Sequence, residues 1–283
     1  MKPCRRTNRI IGGILARYAE IFGITIYALN FLSNHYHLAI KAPLSNADEF
    51  EENVNREIAR RLNWKNHRQG RFWESRYKEQ TILGEDDLLE AFLYITANAV
   101  KHGLVSSPEL WPGLNSYTQS LTGASKTYTF EHYSAQEGEE RVTFHELKIT
   151  PLPQFASLTK KRRKRELERL IAERTLAYQT DRKQNGEGFL TAEIILDQLP
   201  TDLPKKISRA PQPSCYSKDP ARIKEYRIAE RTRCCEYKEA SSKFRLGDRD
   251  VEFPKFTFQP PTHRKPRLAP FRCLPDDYFK NAA

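Results

Sequence analysis

Apolar residues recur at positions 10, 11, 14, 15, 18, 21 and 22, the stripe of a helix with one buried face, and Gly23 closes the segment. The period then changes. Ile24–Phe31 is rich in β-branched and aromatic residues and predicts a strand; Ser33-Asn34 makes a turn, and His35–Lys41 returns as the second strand of a hairpin that Pro43 ends. Ser45–Asp48 offers caps for a long polar helix running to about Trp64, and Phe72–Leu83 predicts a further strand. Glu85-Asp86-Asp87 sets acids at the positive end of a helix that runs to about Lys101 and stops at Gly103. The pattern over residues 1–120 is that of an α+β domain built on a small antiparallel sheet. Residues 121–283 read as a basic extension: helices are predicted over Ser157–Tyr178 and Ala221–Lys243, with Pro-rich stretches at 200–213 and 254–275. No compact fold is assigned to residues 245–283.

Charge adds a partner class. The 283 residues carry a net charge of +11, which favours a polyanion. Through Ser125 the chain holds 15 Lys and Arg against 13 Asp and Glu, so most of the excess lies in the extension. Mean hydropathy is −0.72, and no apolar run approaches the roughly 20 residues of a membrane span. The basic start, Met1 to Arg6, is followed by no signal-peptide core. Five cysteines (Cys4, Cys215, Cys234, Cys235 and Cys273) lack CxxC spacing, which argues against cysteine-held zinc. Their odd number points to reduced thiols in a cytoplasmic protein.

The candidate chemistry is concentrated in two places. His35 and His37 are two apart on a predicted strand and therefore share one sheet face, a geometry in which both imidazoles can hold one metal ion. On the later helix, Leu88, Phe92, Ile95 and Ala99 form the core stripe, while Tyr94, Asn98 and Lys101 share its flank at i, i+4 and i+7. A phenol, a metal-capable amide and a cation thus face one way. Each motif alone has a plainer explanation: a surface histidine pair, and a core-edge tyrosine with solvated neighbours.

Taken in order, Asn34-His35-Tyr36-His37-Leu38, the run Arg71 to Tyr77 (Arg-Phe-Trp-Glu-Ser-Arg-Tyr), and Tyr94-Ile95-Thr96-Ala97-Asn98 with its continuation to Val105 resemble the REP-associated tyrosine transposases, members of the HUH single-tyrosine superfamily. The resemblance covers about residues 9–120. It implies an RRM-like sheet with helices on one face, a divalent metal (Mg2+ or Mn2+) held by His35, His37 and Asn98, and Tyr94 as nucleophile. It implies a single-stranded, palindromic hairpin DNA as substrate, cut and rejoined through a 5′-phosphotyrosine link. The chain departs from the family in having Asn98-Ala99 where Asn-Pro is common. It also begins almost directly at the first helix, so the family's first strand, which lies beside the histidine strand, is expected to be missing.

Substrate contacts require cations and stacking surfaces. Arg71, Arg76, Lys78 and Lys101, interleaved with Phe72 and Trp73, are candidates near the site, and Lys160, Lys161, Arg162 and Arg163 could grip a hairpin stem. For Phe72 and Trp73 core packing is an equal alternative, and the 160–165 run also suits a solvated helix face. Two competing functions remain: a truncated transposase that binds hairpins without cutting, and a metal-dependent phosphodiesterase that uses water. Only the latter keeps activity in Tyr94→Phe. A monomer and a homodimer both suit the sequence.

Overall fold

The computed structural model describes residues 1–197, 213–254, 257, 259 and 260. Helix α1 (Arg5–Phe22) begins five residues before its apolar stripe, because its first turn is basic and leaves no hydrophobic signal. Gly23 ends it at φ 64°, its N–H bonding back to the Ala19 and Glu20 carbonyls. Strands β1 (Thr25–Phe31) and β2 (Tyr36–Lys41) form the predicted antiparallel hairpin, with Asn30 opposite His37 and Phe31 opposite Tyr36.

The two strands have different neighbours. The outer edge of β1 is occupied by irregular chain: Phe31 N–H donates to Leu114 O (2.8 Å), Ser116 N–H to Leu29 O (3.0 Å) and Thr150 N–H to Ile26 O (2.8 Å). β1 is accordingly buried almost throughout. β2 pairs with β1 alone, and its other edge carries no strand among the described residues.

Helix α2 (Ala47–Lys65) lays Phe50, Val54, Ile58 and Leu62 against α1, at the i, i+4 spacing of one helix face. Two elements differ from expectation. Residues 66–80 form no strand; only β3 (Thr81–Ile82) does, pairing in parallel with β6 (Cys215–Tyr216). The apolar pair Phe72-Trp73 supplied the strand signal, but it packs back on the core, the Trp73 indole N–H donating to Asn55 O (3.0 Å). The helix expected over 85–101 is split into α3 (Glu85–Thr96) and α4 (Asn98–Lys101) around Ala97.

A hairpin unforeseen in the sequence, β4 (Lys126–Glu131) and β5 (Val142–Leu147), covers α1 on its other side. Gly12 and Gly13 make that approach possible: a Cβ on either would lie 2.2 Å from the Tyr128 ring or from the Thr129 carbonyl oxygen. Tyr128, Phe130, Leu147 and Ile149 join the α1–α2 core, so residues on both sides of position 120 share it. The short helix α5 (Tyr117–Thr122) leads into this hairpin.

Helix α6 (Lys160–Gln184) buries Leu167 and Ile171 against Phe92, Leu93 and Ile95 of α3. Short α7 (Ala192–Asp197) and long α8 (Pro220–Arg245) follow, the latter capped by Asp219 and burying only Ala240. The architecture is a mixed α+β fold of small two-stranded sheets flanked by helices. Cys4, Cys215, Cys234 and Cys235 are free thiols; Cys273 and most of the Pro-rich stretches lie outside the described residues. Among the described residues no helix is long and apolar enough to cross a membrane.

Candidate active site

The histidine strand and the Tyr94 helix meet where β1 joins them. Asn30 sits in register with His37, is 1% exposed, and donates from Nδ2 to the Ile95 carbonyl (3.0 Å), the residue after Tyr94. That bond fixes the helix against the strand. An asparagine within an otherwise apolar strand was its one sequence signal.

His35 and His37 stand with ring centroids 5.0 Å apart and planes at 88°. His35 Nδ1 lies 2.7 Å from Asn34 Oδ1; with that proton donated, Nε2 of the neutral ring carries the lone pair. His37 packs edge-on against the Tyr94 ring, centroids 5.5 Å apart, and its Nε2 lies 3.4 Å from Asn98 Nδ2. Asn98 is fully buried and follows Tyr94 by four residues, on the same flank. Its Oδ1 has no hydrogen-bond partner. A buried carbonyl oxygen without a partner is costly unless something absent from the chain's own atoms engages it.

Electrostatics keep these groups in ligand form. Burial, then the charges of His35, His102 and Lys101, push His37 down to about 4. Burial and His102 lower His35, and burial, Lys101 and Arg182 lower His102. The imidazoles are therefore neutral at neutral pH, as metal ligation requires. Tyr94 is raised by burial and by the neighbouring Tyr178, so it rests as a phenol. The Lys101 ammonium lies 4.7 Å from its ring centroid.

Behind the strand, Tyr36 points into a buried triangle. Its Oη lies 2.5 Å from Glu51 Oε2 and 2.9 Å from Asn55 Oδ1, and Asn55 Nδ2 donates to Glu51 Oε2 (3.2 Å). One phenolic proton cannot serve both acceptors. The shorter contact is to Glu51, to which the Tyr36 hydroxyl donates. Burial, with Glu79 nearby, raises Glu51 to about 7.

The other predicted contacts are spread out. Arg71, Arg76 and Lys78 are exposed on the 66–80 segment; Phe72 and Trp73 are half-buried, Trp73 edge-on to Tyr36. Lys160, Lys161 and Arg162 are exposed on the first turn of α6, but Arg163 turns inward and is 9% exposed beside Gly123. From Arg162 to Tyr178, which abuts the site, α6 runs about 24 Å.

Whether a divalent ion suits this site can be judged from the donors. Among the described residues no three His, Cys, Asp or Glu side chains converge as a metal cluster; the donors here are two imidazoles and a carboxamide. Asn98 Oδ1 is buried without a partner, on the amide whose Nδ2 lies 3.4 Å from His37 Nε2, and a carbonyl oxygen beside neutral imidazoles is a donor set that fits a cation. No family model, curated protein or solved structure matches this chain.

Proposed function

We propose that this chain is a single-tyrosine nuclease and strand transferase for hairpin-forming single-stranded DNA, of the HUH type, with Tyr94 as its nucleophile. One observation carries the reading: His37 packs on the Tyr94 ring and meets the amide of fully buried Asn98, whose own carbonyl oxygen has no partner. His35, His37 and Asn98 would hold the divalent ion, Mg2+ or Mn2+. Such an ion supplies charge stabilisation on the oxygens of the scissile phosphate.

Tyr94 attacks phosphorus in line, its oxygen forming the new ester as the 3′ oxygen leaves, which gives a 5′-phosphotyrosine and a free 3′-hydroxyl. Exchange of one phosphodiester for another is nearly isoenergetic, so the hydroxyl can later displace Tyr94 without ATP. The phenol must shed its proton during attack. The Lys101 ammonium, 4.7 Å from the Tyr94 ring centroid, favours the phenolate as it forms. Lys101, with exposed Arg71, Arg76 and Lys78, supplies backbone contacts. In this reading the β1–β2 hairpin and its helices are part of an RRM-like sheet.

One observation favours a second reading, a hairpin-binding protein that no longer cuts: β2, which carries His37 and directly follows His35, lacks an outer neighbour among the described residues. A denaturing gel decides between them. Labelled single-stranded hairpins from the gene's flanks are incubated with Mn2+ and wild type or Tyr94→Phe. A metal-dependent covalent adduct in wild type alone is expected; hairpin binding with no adduct supports the second reading, and cleavage that survives Tyr94→Phe points to a water nucleophile.

A further inference from the structure

Helix α6 of the extension reaches the Tyr94 site itself. α6 is fastened to α3 and α4 along its length: Arg174 Nη2 lies 2.6 Å from Glu90 Oε2, Gln179 Nε2 donates to Ser106 O (2.7 Å), and Arg182 Nη1 donates to Lys101 O (3.3 Å). Among these fastenings stands Tyr178, whose ring lies 6.0 Å from the Arg174 guanidinium carbon and packs with Ala99 and Val100 of α4 in a small core.

Lys101 lies between two phenol rings. Its ammonium is 4.7 Å from the Tyr94 centroid and 5.9 Å from that of Tyr178. The neighbouring cations are neutralised, Arg174 by Glu90 and Arg182 by Glu187 (2.9 Å). Among the described residues no carboxylate pairs with Lys101. A lysine stem fans over many rotamers, and two ring faces select among them through the attraction of a cation to the aromatic quadrupole. The remaining charge sits beside the nucleophile, where a strand reaching Tyr94 brings phosphate.

We propose that Tyr178 is a positioning residue of the Tyr94 site: together with the Tyr94 ring it holds the Lys101 ammonium where it takes a phosphate oxygen of the bound strand. The inference rests on Tyr94 being the nucleophile, and it makes the basic extension part of the active site.

Single-turnover adduct formation on a labelled single-stranded hairpin with Mn2+ tests it. Tyr178→Leu is expected to slow adduct formation about tenfold, Lys101→Met by a similar factor, and the double variant no more than Lys101→Met alone. Tyr178→Phe keeps the ring and stays within about twofold of wild type, which also separates positioning from misfolding. A wild-type rate in Tyr178→Leu, or effects that multiply in the double variant, would overturn the proposal. A second readout needs neither DNA nor metal. The Lys101 ε-methylene protons should resonate upfield in wild type and return toward the random-coil position in Tyr178→Leu; an unshifted wild-type signal refutes the placement. If no adduct forms at all, the nucleophile reading fails, and the methylene shift still decides whether Tyr178 positions Lys101.

Discussion

Two histidine pairs sit on hairpins of this protein, and they are wired in opposite ways. On the β4–β5 hairpin the imidazoles are consumed by the chain: His132 Nε2 and His145 Nε2 lie 2.9 and 2.8 Å from the same Thr143 hydroxyl, and His145 Nδ1 lies 2.6 Å from Glu20 Oε2 on α1. The distances are those of a hydroxyl–imidazole–carboxylate triad, but the Thr143 hydroxyl is bridged on both sides, and the network ties hairpin to helix. At the start of β2, His35 is oriented by Asn34, and His37 meets the His35 ring, the Tyr94 ring and the long Asn98 contact. The same residue type on the same element thus fastens in one place and stays open in the other. What separates them is whether a buried partner is left unsatisfied, as Asn98 Oδ1 is.

The contrast is sharpest in activity. His37→Ala should lower metal-dependent adduct formation at least about 100-fold, since it removes one of three donors. His145→Ala should leave it within about twofold. Single-turnover gels with saturating Mn2+ read both, and equal losses in the two variants would erase the distinction.

Stability against pH gives the next largest effect. Glu51 is raised to about 7, so between pH 4.5 and 7 the unfolded chain releases this proton while the native protein keeps it. Its contribution to stability falls across that window, and Glu51→Gln should stabilise the protein at pH 8 by up to about 3 kcal/mol and near pH 4 hardly at all. His37 acts with the opposite sign. Its native pKa lies near 4, below the ordinary 6.5, so stability rises with pH between 4 and 6.5 and is lost on acidification. The two windows overlap and offset one another. Urea titrations of metal-free protein should therefore show stability rising with pH in Glu51→Gln, and falling with pH in His37→Gln by roughly 1–3 kcal/mol over the window.

How much of this was legible follows the physics of each signal. The β1–β2 hairpin and the Tyr94–Asn98–Lys101 flank could be read because a period of 2 or 3.6 is a local property. The β4–β5 hairpin could not: in β5 the apolar Val142 and Phe144 face outward while Thr143 and His145 turn inward, and what seats the hairpin, the missing side chains of Gly12 and Gly13, lies over a hundred residues away in sequence. The strand expected over 72–83 shrinks to Thr81–Ile82 because Trp73 is a plug against Tyr36 and the α2 backbone, with Phe72 edge-on beside it. Asn30 and Tyr178 escaped notice at the site because each acts through a contact distant along the chain, with Ile95 and Lys101. Glu51 was hidden as one more acid on a polar helix.

The smallest expected effect belongs to the closed pair. His145→Ala breaks bonds to Thr143 and to the half-exposed Glu20, and should cost about 1–2 kcal/mol in urea unfolding with no change in metal affinity.

The central claim is that the open pair, and not the closed one, is the ligand site. Mn2+ titration followed by electron paramagnetic resonance measures this without any DNA. Wild type and the His132→Ala/His145→Ala variant should each bind one Mn2+ with the same affinity, and His35→Ala/His37→Ala should bind none. Undiminished Mn2+ binding by His35→Ala/His37→Ala, or loss of it in His132→Ala/His145→Ala, would contradict the account.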